Sequence, residues 1–390
     1  MSIKETFCIL PFTHLATHPD GKVTPCCESK FTSKHLDKDL ELGINTVEEI
    51  RNSKNFKALR KQMLEGKFHT SCDFCYDREK AGLVSKRIRE NTKYEVDYNN
   101  IDKYKDLPLM SVELRLGNVC NAKCVICHPG SSSKWNEDIT EEIQSIDSGY
   151  NKRIIENTWF RDDKFYDNVL NYSNDIVHLW FNGGEPLLIK EHLKFLNKLV
   201  ELNVTDKIEL EYHTNGSLIT TKILDIWKNF KNLKITLSLD DIETRFHYAR
   251  YPLTFDTVEN SIKLLRESNI HYDIIPTVNL LNVTNTTGIY EYFKFNYDKE
   301  CIFNYLRFPK FQSIVNMPDH IKKRILSNSR LPEHLHTQLE YEFYADNGMG
   351  LTKALNFYNA LDRQRGLKIE EYLPEFVEYI NYDRDTNIII

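Results

Sequence analysis

Apolar and polar residues alternate from Leu109 to Leu116, with Met110, Val112, Leu114 and Leu116 on one side, the period of a strand. Short apolar runs recur at Ile176–Phe181, Ile208–His213, Leu233–Leu239, Tyr272–Val278 and Ile302–Arg307. Between them, His192–Leu202, Thr220–Phe230 and Phe255–Arg266 carry the 3.6-residue period of amphipathic helices, and another helix is predicted from about Ser132. Strand and helix patterns taking turns predict an α/β class with parallel β/α units, spanning roughly residues 106 to 312. Asp147 to Asn174 is longer than one crossover helix requires.

Residues 1 to about 105 read differently. Phe7–Phe12 opens a strand-like run that reaches His18-Pro19-Asp20-Gly21, a turn in which Pro presets φ and Gly takes the positive φ. Val23 starts the return strand, which ends at Cys26-Cys27. Counting back across this hairpin puts Cys26 opposite Thr13 or His14. Cys8 can therefore reach it only if the chain bends near Pro11. Asn45 or Thr46 followed by Glu48 or Glu49 makes a capping box, and Val47, Ile50, Phe56, Leu59 and Met63 continue with helical spacing. Tyr94 to Lys105 reads as a linker. From about 313 to 390 a helix starts at Pro318-Asp319-His320, Gly348-Met349-Gly350 breaks the pattern, and Leu351–Leu361 resumes it. Its aromatic set, Phe343, Tyr344, Phe357, Tyr358 and Tyr372, is expected to pack as core, with a lid over the barrel mouth as the alternative.

The 390 residues are long for one domain and, at 41% hydrophobic, sufficient for two cores. A net charge of −6 argues against general nucleic-acid binding. There is no 18-residue apolar run and the first residues lack an apolar h-region, so a soluble, cytoplasmic protein without membrane association is expected. Of nine cysteines, seven lie in tight spacings, which in such a chain points to metal rather than disulfides.

Cys120, Cys124 and Cys127 form C-x3-C-x2-C on the loop after the first core strand. Three thiolates there can hold three irons of a [4Fe–4S] cubane and leave the fourth open to an outside ligand. Zinc with His128 as fourth ligand is the alternative. In this position the motif resembles that of the radical S-adenosylmethionine (SAM) enzymes, with Ile126 where an aromatic is usual. The resemblance implies a partial (β/α)6 barrel and a cluster whose open iron chelates SAM. It also implies reductive cleavage to a 5′-deoxyadenosyl radical that abstracts a substrate hydrogen.

Further motifs fall at the predicted C-terminal strand ends, where β/α barrels gather their chemistry. Asn182-Gly183-Gly184-Glu185-Pro186 resembles the family's motif for the SAM amino group, through the backbone of Gly183 and Gly184 and the Glu185 carboxylate. Ser238 and Asp240 match the motif that meets the ribose hydroxyls. Asn215, in a tight turn, and Asn279 are further candidates for the cofactor. His213, Arg250 and Arg307 can face a substrate or form structural pairs, and Arg307 can alternatively meet the SAM carboxylate. Cys301 is expected to pack as a small hydrophobe.

Cys8, Cys26, Cys72 and Cys75 can build a tetrathiolate site, for which chemistry alone allows zinc or iron–sulfur. Their spacing, with Gly21 between the first pair and Glu79, Gly82 and Ser85 after the last, resembles a twitch domain, the short form of the SPASM auxiliary-cluster domain. That implies a second [4Fe–4S] cluster on Cys8, Cys26, Cys72 and Cys75, with Cys27 able to replace Cys26, although such a domain usually follows the barrel. The expected organisation is an auxiliary domain over 1–105, a core over 106–312 and a helical extension over 313–390. The expected function is hydrogen abstraction from an unknown small molecule or peptide, leading to an oxidation assisted by the auxiliary cluster. An external donor such as a flavodoxin or ferredoxin would supply electrons. The alternatives are a peptide-modifying maturase, by cross-linking or epimerisation, and a non-catalytic iron–sulfur electron carrier or sensor. No residue stands out as a general base.

Overall fold

The structure is a computed structural model that describes residues 2–30, 40–346, 348–379 and 381. Its principal sheet has the order β2-β1-β3-β4-β5-β6-β7, an open rather than closed arrangement. The strands are β1 His14–Thr17, β2 Val23–Thr24, β3 Ser111–Arg115, β4 His178–Asn182, β5 Glu209–Thr214, β6 Asn232–Leu237 and β7 Tyr272–Ile274. β8 Thr277–Val278 and β9 Asn304–Tyr305 form a separate parallel pair. The chain divides into two compact units, Met1–Val119 with Ile155–Tyr212 and Lys222–Lys234, and Cys120–Ile154 with His213–Thr221 and Ile235–Ile390.

In the first unit β1 and β2 form the expected hairpin, with Ala16 opposite Thr24 and Thr17 opposite Val23. The run Phe7–Phe12, strand-like in its pattern, is instead turned into a short helix, Leu10–Thr13, with Pro11 in its first turn. Proline there costs no hydrogen bond, because the first helical N–H groups have no intrahelical acceptor. That helix is the bend that Cys8 requires. The buried Arg51 guanidinium donates to Phe12 O and Leu107 O, both at 2.9 Å, and holds the bend to the segment that approaches β3. Beyond it, β1 runs parallel to β3 with His14 opposite Ser111, so the hairpin extends the core sheet instead of standing apart.

The surplus length before β4 has a use within this unit. Asn157 Nδ2 donates to Leu42 O at 2.9 Å and Trp159 Nε1 to Pro19 O at 3.1 Å, bracing the hairpin turn. Phe160 lies over Gly117, where a Cβ would approach its ring to 2.4 Å, and Gly117 has φ +67°. Phe181 and Tyr212 on β4 and β5 stack with His192 and Trp227 of the covering helices. Trp180 and Glu211 therefore project from the opposite, polar face.

In the second unit the predicted fifth strand is split. Tyr272–Ile274 joins β6, whereas Thr277–Val278 pairs with β9, because Pro276 lacks the N–H needed to continue one ladder. The predicted sixth strand shortens to β9. Helix Glu243–Ala249 is an addition to the pattern, and the helical stretch expected from Pro318 divides into Asp319–Asn328 and Glu333–Phe343. Phe343, Phe357 and Tyr358 are buried as core, whereas Tyr344 is about half exposed. Among the described residues no helix is long and apolar enough to cross a membrane.

Candidate functional site

The cysteine loop of the second unit is fixed chiefly through its backbone. Lys123 N–H donates to Tyr251 O at 2.7 Å and Val125 N–H to Ala249 O at 2.9 Å. Trp135 Nε1 donates to Cys124 O at 2.9 Å, and Gln312, fully buried, donates to Val125 O at 3.2 Å and accepts from Tyr358. Arg365 donates to Lys123 O, pairs with Asp138 at 2.7 Å and lies over the Trp135 and Tyr251 rings. With its backbone committed, the loop presents its thiols together. Burial pushes the Cys127 thiol up, and the neighbouring Cys124 and Cys120 push it further. Burial also raises Cys124, while the Arg250 and Arg365 guanidinium groups pull it back. Three thiols crowded beside two cations suit thiolates that bind metal. His128 does not complete a four-ligand set. Its Nδ1 accepts from Gly130 N–H at 3.1 Å and its Nε2 meets Ser131 Oγ at 3.3 Å.

Asn215 grips this loop. Its Nδ2 donates to Asn121 Oδ1 at 2.9 Å while its Oδ1 accepts from Ser217 N–H and Oγ–H. Ser238 is half-buried at the end of β6, and its N–H donates to Thr214 O. The Asp240 carboxylate, 1% exposed, accepts from Thr277 N–H at 3.0 Å and pairs with Arg250 at 2.9 Å, which orients that guanidinium. The Asn279 Nδ2 donates to Thr277 O and its Oδ1 accepts from Leu281 N–H, which shapes the β8 end. Asp and Asn form such local turns as readily as ligand sites. The largely exposed Arg307 pairs with the buried Glu342 at 2.7 Å, and His213 is half-buried on β5. Arg250 is the residue whose role the pattern left open and the fold supplies. It is the buried counter-charge beside Cys124.

In the first unit Gly183 and Gly184 press against the segment that leads into the cysteine loop. A Cβ on Gly183, which has φ +138°, would stand 2.8 Å from Leu116 N, and one on Gly184 would stand 2.3 Å from Val119 O. Gly184 N–H donates to Gly117 O and Glu185 N–H to Val119 O. The Glu185 side chain is fully buried and caps the turn by accepting from Leu187 N–H at 3.1 Å.

The second cysteine set also gathers within this unit. Cys8, Cys26, Cys72 and Cys75 line one cavity together with Lys86 and Arg87. Burial pushes Cys8 up, and Cys72 and Cys75 add to the rise; burial likewise raises Cys72 to about 11. Arg87 is held at the cavity by Glu79, which Ser85 also meets, and donates to Phe7 O at 2.8 Å. Four facing thiols with two adjacent cations fit a cluster of net negative charge. Cys27 is not among the lining residues. Its thiol, pushed up to about 12 by burial and then by the Glu113 carboxylate, lies against Glu113 of β3.

Comparison with known proteins finds two family models along the chain. The Radical SAM superfamily model matches residues 114–289, and the SPASM iron–sulfur cluster-binding domain model matches residues 8–76. The radical SAM cyclopropyl synthase TigE of Paramaledivibacter caminithermalis is 28% identical over 176 residues, covering 41% of this chain and 34% of that protein. The AdoMet-dependent heme synthase of Methanosarcina barkeri is 25% identical over 185 residues, covering 47% of this chain and 46% of that protein. The chain thus spans less than half the length of these curated relatives. Among solved structures, native anSMEcpe with bound AdoMet is similar at 21% identity and a TM-score of 0.43, covering 57% of this chain and 59% of that one. Streptococcus suis SuiB is similar at 15% identity and a TM-score of 0.39, covering 76% and 69%.

Proposed function

Because the chain carries a radical SAM domain over residues 114–289, behind an iron–sulfur cluster-binding domain over residues 8–76, we propose that it is an enzyme that oxidises a C–H-bearing substrate. A radical SAM domain binds SAM and a [4Fe–4S] cluster, and together they supply a 5′-deoxyadenosyl radical able to abstract a substrate hydrogen atom. Cys120, Cys124 and Cys127 are the proposed ligands of that cluster, with Arg250, held by Asp240, offsetting their charge. The backbone of Gly183 and Gly184 and the half-buried Ser238 are the proposed contacts for SAM; Glu185 caps the turn that follows the glycines, and Asn215 grips the cysteine loop. Cys8, Cys26, Cys72 and Cys75 are the proposed ligands of the auxiliary [4Fe–4S] cluster, which gives an oxidation a place for the substrate's electron. An external flavodoxin- or ferredoxin-like donor is the proposed source of the reducing electron.

The observation that carries this reading is the gathering of two separate thiol sets, three on the loop and four around the cavity, each beside a buried arginine. The test is iron content and electron paramagnetic resonance of the reduced, anaerobically reconstituted protein, with and without SAM. The reading expects about eight irons per chain and a SAM-dependent change in one of two cluster signals, absent in Cys120→Ala. Two signals that both ignore SAM would identify an electron carrier.

A further inference from the structure

Residues directly opposite each other across a parallel sheet share a face, and one such row runs through four strands of the first unit. His14 faces Ser111, Ser111 faces His178, and His178 faces Glu209. The next row on that face holds Glu113 and Glu211. Such rows on a core sheet are ordinarily apolar, and this polar face is used by nothing assigned above. The side chains also touch in order. His14 Nδ1 is 2.8 Å from Ser111 Oγ, and Ser111 Oγ is 3.3 Å from His178 Nδ1. His178 Nε2 is 3.2 Å from Glu211 Oε2 and 3.5 Å from Glu209 Oε1. At the inner end His14 Nε2 and Glu113 Oε2 stand 3.9 Å apart, and neither atom has a hydrogen-bond partner among the described residues. The two atoms come into hydrogen-bond range when that gap closes by about 1 Å. Exposure rises along the chain of groups, from 1% for the Glu113 side chain through 4% and 16% for His14 and His178 to 39% for Glu209.

We propose that Glu113, His14, Ser111 and His178 form a proton relay between the buried Glu113 carboxylate and the outer carboxylates of Glu211 and the more exposed Glu209. A proton on Glu113 Oε2 moves to His14 Nε2 as the His14 Nδ1 proton moves to Ser111 Oγ. The serine hydroxyl proton moves to His178 Nδ1, and the His178 Nε2 proton leaves to the Glu211 or Glu209 carboxylate. Each of His14, Ser111 and His178 gains one proton and gives one up, Glu113 loses one and the final carboxylate gains one, and no electron moves. Burial lowers His14 well below the usual imidazole range, with Lys86 and His178 adding to the drop, so it conducts as a neutral ring that exchanges tautomers. Cys27, Lys86, Arg115 and His18 face Glu113, and Lys93 and Lys234 face the outer carboxylates. The outward direction rests on the oxidation proposed above, which leaves one proton to discard once a hydrogen atom and an electron have gone; the conduit itself does not.

The test is exchange of the His14 ring N–H with water, by nuclear magnetic resonance of the full chain carrying 15N-histidine and its oxidised clusters. Ser111→Ala should slow exchange at least tenfold, Ser111→Thr should keep it within about twofold, and His178→Gln, which retains hydrogen bonds but cannot hop a proton, should also slow it. A merely structural network loosens when a hydroxyl is removed. Exchange that is unchanged or faster in folded Ser111→Ala or His178→Gln, judged by an unaltered melting curve, overturns the relay. The measurement needs no SAM turnover, so its failure leaves the proposed reaction standing, and failure of that reaction leaves the relay standing.

Discussion

Gly184→Ala adds one methyl group at the closest backbone approach in the candidate site. The new Cβ would stand 2.3 Å from Val119 O and 2.7 Å from Val119 C, against the 3.0 Å that real Cβ atoms essentially never breach. The obstacle is backbone, so no rotamer change relieves it, and either Gly183–Glu185 or Gly117–Val119 must retreat by about 0.7 Å. Overpacking of this kind costs about 1–3 kcal/mol of stability. Misplacement of nearly 1 Å in a positioned site costs up to about a hundredfold in function. SAM affinity should therefore fall about 10- to 100-fold, equivalent to about 1.4–2.8 kcal/mol, measured by anaerobic equilibrium dialysis of the reconstituted protein. Gly82→Ala is the control, because its Cβ would meet nothing within 4 Å; its positive φ of +77° costs some stability but should leave SAM affinity unchanged. A Gly184→Ala protein that binds SAM as tightly as wild type would refute the claim that this contact sets the site.

Three further outcomes follow from the same geometry. Cys26→Ser should lose about four irons per chain on reconstitution whereas Cys27→Ser should keep them, since only Cys26 lines the thiol cavity. Asp240→Asn strands the Arg250 charge in a buried setting and should cost about 3 kcal/mol in denaturant unfolding, with the loss reduced in an Asp240→Asn/Arg250→Met double variant. Asp241 is lifted by burial to about 6 from 3.8, despite Arg245. Between those values the folded state binds a proton that the unfolded chain has released, so this group adds stability as pH falls from about 6 to 4. The wild type should gain on the order of 2 kcal/mol over Asp241→Asn across that window, read from denaturation midpoints, and parallel pH profiles would contradict it.

Much of the fold was legible because period and spacing are local properties. The first four core strands were placed within two to three residues, and the C-x3-C-x2-C and C-x2-C spacings by themselves marked both thiol sets. The need for a bend near Pro11 followed from counting residues across the hairpin, and the helix Leu10–Thr13 supplies it. What escaped depends on distant partners. Nothing local shows that β1 lies beside β3, because His14 and Ser111 are separated by nearly a hundred residues. Nor does a local pattern show that the Asp240 carboxylate pairs with Arg250. The polar row from His14 to Glu209 was invisible for a related reason. Each strand contributes one unremarkable residue, and only the register aligns them.

The central claim is that the three-cysteine loop supports cleavage of SAM. It is tested most directly by 5′-deoxyadenosine release from anaerobically reconstituted, dithionite-reduced protein supplied with SAM, beside a Cys120→Ala/Cys124→Ala/Cys127→Ala control. Release by the wild-type protein that disappears in the control is the predicted result. Equal release from both, or none from a wild-type protein whose loop cluster is intact and whose SAM is bound, would contradict the account.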